Sequence, residues 1–443
     1  MDVEEYARKG ITGGRSEAEI EEGLVNIIHS FKTVKPAYAS ALARAIITEV
    51  NNTRGLTGDF FEYEPAGVNM GEFGVGSRGK GDFFAHRQIA RIIGKSSATV
   101  GVDQMDDGGA VCRAGGEYIV CTVDGMHSRL SDFPFLAGFH VTRATLRDAM
   151  VMGARPVMLF SDIHVADDGD VAKIFDYTAG ITTVGEAMNV PLVSGSTLRI
   201  GGDMVLGSRL TGCVGCVGVT EHLTARKSTQ AGDVLLMTEG AGGGTIATAG
   251  IYSGYPEVVE QTINLNFLTT CDTLMKSDAF LKVHAMTDVT NGGLRGDIYE
   301  MAETAQCRII VDDTNVAGLV EPHVRAMLEE LKIDYLGVSL DALLIVAPPD
   351  AAGEICTIVR SAGVRIEQIG RVETGKPEAV LVSHGKEQDF TPRFRESAYT
   401  PVKKVVDNEM RDFEEMKAGV LRASEAAVKK KERVLRKLGK GKE

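Results

Sequence analysis

Strand-like and helix-like patterns alternate along most of this chain, in two stretches of similar size, about residues 100–225 and 226–372. Such alternation predicts an α/β or α+β protein built from two units. Two bulk properties agree. A length of 443 residues suits two or three domains. A content of 44% hydrophobic and 25% charged residues is the balance of a globular protein able to bury real cores. No apolar run approaches the ~20 residues of a membrane span. Met1-Asp2-Val3-Glu4-Glu5 is acidic and has no apolar core of a secretion signal. Seven scattered cysteines fit a reduced, cytoplasmic protein. The net charge of −13 argues against DNA or an anionic membrane as a partner of the body.

Residues 1–62 read as a helical extension. Ser16, with Glu19 three positions on, forms a capping-box start, and Ile20, Leu24, Ile27, Ile28 and Phe31 recur at helical spacing. Pro36 interrupts the pattern, and a second helix is expected over about Ala37–Val50. The glycine-rich stretch 66–81 carries Arg78 and Lys80, and Asp82 is placed to cap a helix over Phe83–Ile93. Within a first unit, 63–225, strands are expected at Tyr118–Val123, Val157–Ile163, Val190–Ser194 and within Met204–Val219, with helices at Val141–Met152 and Asp170–Met188. The second unit, 226–397, opens with a turn and strand at Ala231–Thr238 and a long helical stretch to about Lys282. A helix after Asn291 and strands at Arg308–Val311, Ala342–Val346 and Ile366–Val372 follow. Residues 398–443 form a basic helical tail. From Arg422 to Glu443 it holds nine Lys/Arg against three Glu, and Phe413, Val420, Ala427 and Val434 recur at seven-residue spacing. That coiled-coil-like stripe suits docking on a partner helix.

The chemistry concentrates in carboxylates. Asp106-Asp107-Gly108-Gly109, Asp124 at the end of an apolar run, and Asp148 in a helix pattern fall within about forty residues. Clustered carboxylates repel unless a cation sits among them, and hard oxygen donors suit Mg²⁺, which commonly carries a nucleotide phosphate on its other face. ATP-dependent phosphoryl chemistry is therefore the first hypothesis. Arg147, beside Asp148, is able to clamp a phosphate. Gly74-Val75-Gly76-Ser77-Arg78-Gly79-Lys80-Gly81 offers backbone N–H groups and two cations to phosphate, without the order of a Walker loop. Asp288, Thr290 and Asn291 precede Gly292-Gly293, where close backbone approach is possible. Gly240-Ala241-Gly242-Gly243-Gly244 is a weaker version of the same signal. His127, His140 and His164 could each serve as a general base, and no spacing singles one out beyond a slight lean to His127, three residues after Asp124. Cys213 and Cys216 lie three apart on an expected strand, so they point to opposite faces and read as strand packing.

These motifs, in this order, resemble the aminoimidazole ribonucleotide (AIR) synthetase-related superfamily, nearest to its hydrogenase maturation dehydratase branch. Asp106–Val111 resembles the family's Asp-Asp-Ala-Ala-Val, and Thr122-Val123-Asp124 its Thr-Thr-Asp. Arg147-Asp148 with Met152-Gly153-Ala154-Arg155-Pro156 resembles its Asn-Asp helix and Met-Gly-Ala-Arg-Pro turn. Asp288–Leu294 resembles its Asp-Pro-Thr-Arg-Gly-Gly-Leu. The resemblance implies an N-terminal α/β domain and a C-terminal α+β domain. It also implies a homodimer in which paired N-terminal domains close a β-barrel, and ATP near that interface. It assigns Asp106, Asp107 and Asp124 to metal and Asp148, Arg147, Asp288 and Asn291 to catalysis. Gly76, Arg78, Gly79, Lys80, Thr122, Thr290, Gly292 and Gly293 are assigned to the nucleotide. Three departures stand out. Ser196 replaces an expected carboxylate, the chain ends without the dehydratase branch's reactive cysteine, and residues 66–81 lack the selenophosphate synthetase cysteine. The expected activity is ATP·Mg²⁺-dependent transfer of the γ-phosphoryl group to an oxygen of a small acceptor. The rival reading is a nucleotide-binding maturation or scaffold protein with reduced turnover.

Overall fold

A computed structural model describes residues 1–76, 79–94, 96–113, 115–290, 292–396, 398–406 and 411–440. The extension folds as three helices, α1 (Val3–Thr12), α2 (Glu17–Phe31) and α3 (Pro36–Thr53). The capping box forms as expected, with Glu19 N donating to Ser16 Oγ and Ser16 N to the Glu19 carboxylate. α3 starts at Pro36 because proline at the first helical position costs no hydrogen bond. Ile20, Leu24, Ile28, Ala43 and Ile46 pack together with Leu206 of the next unit. Val3 N donates to Met204 O, and Lys32 pairs with Asp167 and Asp168, so the extension is docked on the body.

α4 (Met70–Phe73) and α5 (Lys80–Ile93) lead into β1 (Gly109–Cys112), β2 (Tyr118–Gly125), α6 (Pro134–Val151), β3 (Arg155–Val165), α7 (Ala172–Met188), β4 (Leu192–Arg199) and β5 (Leu210–Thr220). The strands form one sheet, ordered β1-β2-β5-β3-β4, with β3 and β4 parallel and joined through α7. Within one chain this sheet is open, with β1 and β4 as edges. The expected closed barrel is not formed by a single chain. α6 and α7 cover one face. Gly138 and Gly180 permit their close approach, since a Cβ at either would collide with the carbonyl oxygen of Tyr177 or Phe135. The side chains of β2 alternate: Val120 and Thr122 are buried, while Ile119, Cys121 and Val123 are exposed on the uncovered face. α6 begins seven residues before the expected Val141, because its first half is buried all round and carries no amphipathic stripe.

The second unit comprises β6 (Val234–Thr238), α8 (Gly244–Ser253), α9 (Pro256–Gln261), α10 (Asn266–Met275), β7 (Ala285–Val289), α11 (Gly293–Ala305), β8 (Arg308–Asp312), α12 (Asp313–Leu319), α13 (Pro322–Glu330), β9 (Ala342–Ala347), α14 (Pro349–Ser361), β10 (Ile366–Glu373), β11 (Glu378–Ser383) and β12 (Lys386–Asp389). Its sheet runs β12-β11-β8-β10-β6-β9-β7. The expected long helical stretch is three helices. Gly254, at φ 87°, ends α8, and Pro256 starts α9. One core joins the units: Leu146, Ala149 and Met150 of α6 belong to the same cluster as Phe267, Met286, Leu343 and Ile345.

The tail forms α15 (Pro401–Val406) and α16 (Phe413–Lys437). α16 lies on α5: Phe413 stacks on Phe73 at 5.9 Å, and Ser424 Oγ donates to Gln88 Oε1 at 3.0 Å. Of the stripe expected to seek a partner helix, Phe413 packs on Phe73 of α4, while Val420, Ala427 and Val434 are half-buried and line a cavity beside α5.

Candidate active site

The polar residues of α6 explain why a helix buried all round is not purely apolar. His140, Arg143, Ala144, Arg147 and Asp148 fall at the three- and four-residue spacing of one helix face, and all line a single cavity of about 270 Å³. Asp124 and Gly125 at the end of β2 and the Asp106–Asp107 turn before β1 form a second wall. The second unit supplies Gly243, Gly244 and Thr245 at the start of α8, Asp288 near the end of β7 and Thr290 just after it, and Ser339 and Asp341 before β9.

Six acidic side chains line this cavity (Asp106, Asp107, Asp124, Asp148, Asp288 and Asp341) against two arginines, Arg143 and Arg147, an excess of four acidic groups. The arginines pair first with the second unit. Arg147 binds Asp288 and Asp341, and Arg143 binds Asp341 and the Thr262 carbonyl. A third arginine, Arg226, lies between the units. Its Nη2 meets Asp107 Oδ1 at 2.6 Å, its Nη1 meets Glu300 Oε2 at 2.8 Å, and its backbone N donates to Asp106 Oδ2 at 3.0 Å. Thr287 Oγ1 donates to the other oxygen of Asp107 at 2.8 Å.

The imbalance shows in the proton affinities. Burial pushes Asp106 up to about 6 against the pull of Arg226, and burial, with repulsion from Asp288 and Asp106, pushes Asp107 up to about 7. Burial and then repulsion from Asp124 and Asp288 push Asp148 well above the carboxylate range. Burial lowers His127 to about 4. Thr248 Oγ is 3.3 Å from His127 Nδ1 and spends its own hydrogen on Gly244 O at 2.6 Å. Nδ1 must therefore carry the ring proton and donate, leaving Nε2 as the acceptor facing Thr245 at 3.1 Å. His127 is a neutral, fully engaged ring on the cavity wall.

Of the residues expected from sequence, Asp106, Asp107, Asp124, Arg147, Asp148, Asp288 and Thr290 converge on the cavity. Thr122 does not; its hydroxyl donates to Thr145 O at 2.8 Å and ties β2 to α6. Gly292, at φ 96°, and Gly293, at φ 62°, shape the turn into α11, and Gly293 backs onto Leu336 and Val338, where a Cβ would clash. Gly76, Gly79 and Lys80 lie away from the cavity, where Lys80 N donates to Arg393 O at 3.0 Å. Gly79, not Asp82, is the N-cap of α5; Asp82 sits in its first turn and accepts from Gly76 N. Arg78 and Asn291 lie outside the described residues. Ser196 is on β4, three strands from β2 and so roughly 14 Å across the sheet from Asp124 at ~4.8 Å per strand. Cys216 is buried and Cys213 half-buried on β5, as the strand reading requires.

Sequence reasoning missed Arg143, Arg226, Asp341, Asp297 and Glu300. Two signals were available. Arg143 and Arg147 are four apart in an apolar helix, and Asp341 interrupts the apolar run Val338–Val346.

Comparison with known proteins bears on the family and the fold. Residues 105–220 match the family described as AIR synthase related protein, N-terminal domain, and residues 230–383 match AIR synthase related protein, C-terminal domain. An uncharacterized protein of Methanocaldococcus jannaschii is 50% identical over 448 residues, covering 98% of each chain. A selenide, water dikinase of Myxococcus xanthus is 27% identical over 325 residues, 65% of this chain and 90% of that protein. The crystal structure of a HypE–HypF complex contains a chain that superposes with a TM-score of 0.54 at 18% identity, over 66% of this chain and 95% of that one.

Proposed function

This chain belongs to the AIR synthase related family, and from that premise we propose that it is an ATP- and Mg²⁺-dependent enzyme transferring a γ-phosphoryl group to an oxygen of a small acceptor. The observation that carries the reading is the cavity between the two units, where acidic side chains outnumber arginines by four. Selenide, water dikinase, a relative by sequence, is a kinase by name.

Mg²⁺ fits this donor set. The lining oxygens are hard carboxylates, and repulsion from neighbouring carboxylates adds to burial in raising the proton affinities of Asp107 and Asp148. Among the described residues no three His, Cys, Asp or Glu side chains already stand at metal-holding distances. Asp124 and Asp148 on the first unit, with Asp107, are the residues that would hold the ion. A divalent ion there would offset the charge of a triphosphate during transfer.

The remaining roles belong to this chain's own groups. Gly243 is the N-cap of α8, so Gly244 and Thr245 present first-turn N–H groups, which have no intrahelical acceptor, at the cavity wall. Arg147 and Arg143 lock Asp288 and Asp341 across the cleft and fix the second unit against α6. A homodimer is supported by the uncovered face of the first sheet, where Val123 is 62%, Val193 56% and Leu198 57% exposed.

The test is ADP release with Mg²⁺ across a panel of small amide and formyl acceptors, comparing wild type with Asp124→Ala. Acceptor-dependent turnover that the variant loses is the expected result. Tight ATP binding without turnover for any acceptor would favour the nucleotide-binding scaffold instead. Unchanged ATP affinity in Asp107→Ala with Asp124→Ala would remove the metal assignment.

A further inference from the structure

Arg226 has five N–H donors and more acceptors than it can use. Nε meets Thr287 Oγ1 at 3.2 Å. Nη1 spends its two hydrogens on Met105 O and Glu300 Oε2, both at 2.8 Å. Nη2 also has two hydrogens, yet three acceptors lie within 3.5 Å: Asp107 Oδ1 at 2.6 Å, Thr287 Oγ1 at 2.7 Å and Asp297 Oδ1 at 3.5 Å. The second group holding Asp107 is in the same position. Thr287 Oγ1 donates to Asp107 Oδ2 at 2.8 Å, and Asp288 O lies 3.5 Å away as an alternative acceptor. If the Asp107 carboxylate turned away, Arg226 would close on Asp297 and Thr287 would close on Asp288 O. No buried donor would be stranded, which is what makes most buried ion pairs costly to open. Asp106 would stay, held by the Arg226 backbone N–H.

We propose that Arg226 stands in for a divalent ion in the ligand-free protein, and that metal–nucleotide binding moves the Asp107 carboxylate from Arg226 and Thr287 onto the metal while Arg226 settles on Asp297. The inference rests on the Mg²⁺ reading above. Arg226 and Thr287 are then positioning residues, because they set how readily Asp107 becomes a ligand without touching the ion.

Mn²⁺ binding by the full-length protein, followed by electron paramagnetic resonance with and without a non-hydrolysable ATP analogue, tests this without measuring turnover. Asp107→Asn should weaken Mn²⁺ binding by ~10-fold or more. Thr287→Val removes one hold on Asp107 at nearly constant volume and should tighten Mn²⁺ binding by several-fold, on the order of 3–10. Arg226→Lys, which keeps the charge but loses the fork, should shift in the same direction. A purely structural role for Thr287 and Arg226 would leave affinity unchanged or lower it. If Arg226→Lys does not fold, judged by circular dichroism, Thr287→Val decides. Wild-type affinity in both Asp107→Asn and Thr287→Val overturns the hand-over while leaving the metal site standing. A wild type that takes up no Mn²⁺ overturns both.

Discussion

Two arginine centres lie on either side of the same cavity, and they are wired differently. Arg143 and Arg147 share two carboxylates, Asp288 and Asp341, and Arg147 Nε also lies 3.8 Å from Asp148, so two cations face three anions. Arg226 alone faces Asp106, Asp107, Asp297 and Glu300, one cation among four anions. The more nearly balanced set, each of its cations joined directly to a second-unit carboxylate, behaves as a brace. An overloaded one can exchange partners. The cavity therefore has a fixed wall on the α6–second-unit side and an adjustable one at the junction between the units.

Breaking the brace should have the largest effect. Arg147→Met leaves Asp288 and Asp341 buried with less compensation and should cost about 3–5 kcal/mol in urea unfolding. A loss below ~1 kcal/mol would mean the wall is not a brace. The adjustable wall should respond to pH. Unfolded Asp107 releases its proton near pH 3.8, whereas folded Asp107 keeps it until about 7. Wild type should therefore lose stability relative to Asp107→Asn as pH rises from 4 to 7, with no further change above that window. A flat difference across the range would deny that Asp107 is held protonated. The same contrast between satisfied and open surfaces separates the two faces of the first sheet. Val123→Arg, on the uncovered face, should change chain stability by no more than about 0.5 kcal/mol while reducing dimer mass in light scattering. The smallest effect belongs to Lys80. It stands outside the cavity, so Lys80→Ala should alter ATP-analogue affinity by less than about twofold. A tenfold loss would restore the glycine-rich loop to the site.

Much of this organisation is legible in the residues. Capping chemistry placed α2, the apolar run Tyr118–Val123 placed β2, and the spacing of acids pointed to Asp107, Asp124 and Asp148. What escaped is long-range. Arg226 meets Asp107 across 119 residues, and Arg147 meets Asp341 across 194. No local period records a contact of that kind. The first half of α6 escaped for a different reason, because a helix buried on every side has no polar face to mark its turns. In the glycine-rich loop the signal is ambiguous, because phosphate binding and backbone crowding ask for the same residue. Gly79 and Gly81 are required by the carbonyls of Phe394 and Phe73, which a Cβ would strike.

The docking of α1 and α2 on Met204 and Leu206 has a consequence for synthesis. The extension leaves the ribosome ahead of its apolar floor, which follows up to about 200 residues later, a wait of roughly 10–40 s at ~5–20 residues per second. Until then Ile20, Leu24 and Ile28 can be sheltered only by α1 and α3. The three helices must hold together as a provisional bundle during elongation, and a chain stalled before Leu206 would present that bundle's open side to chaperones.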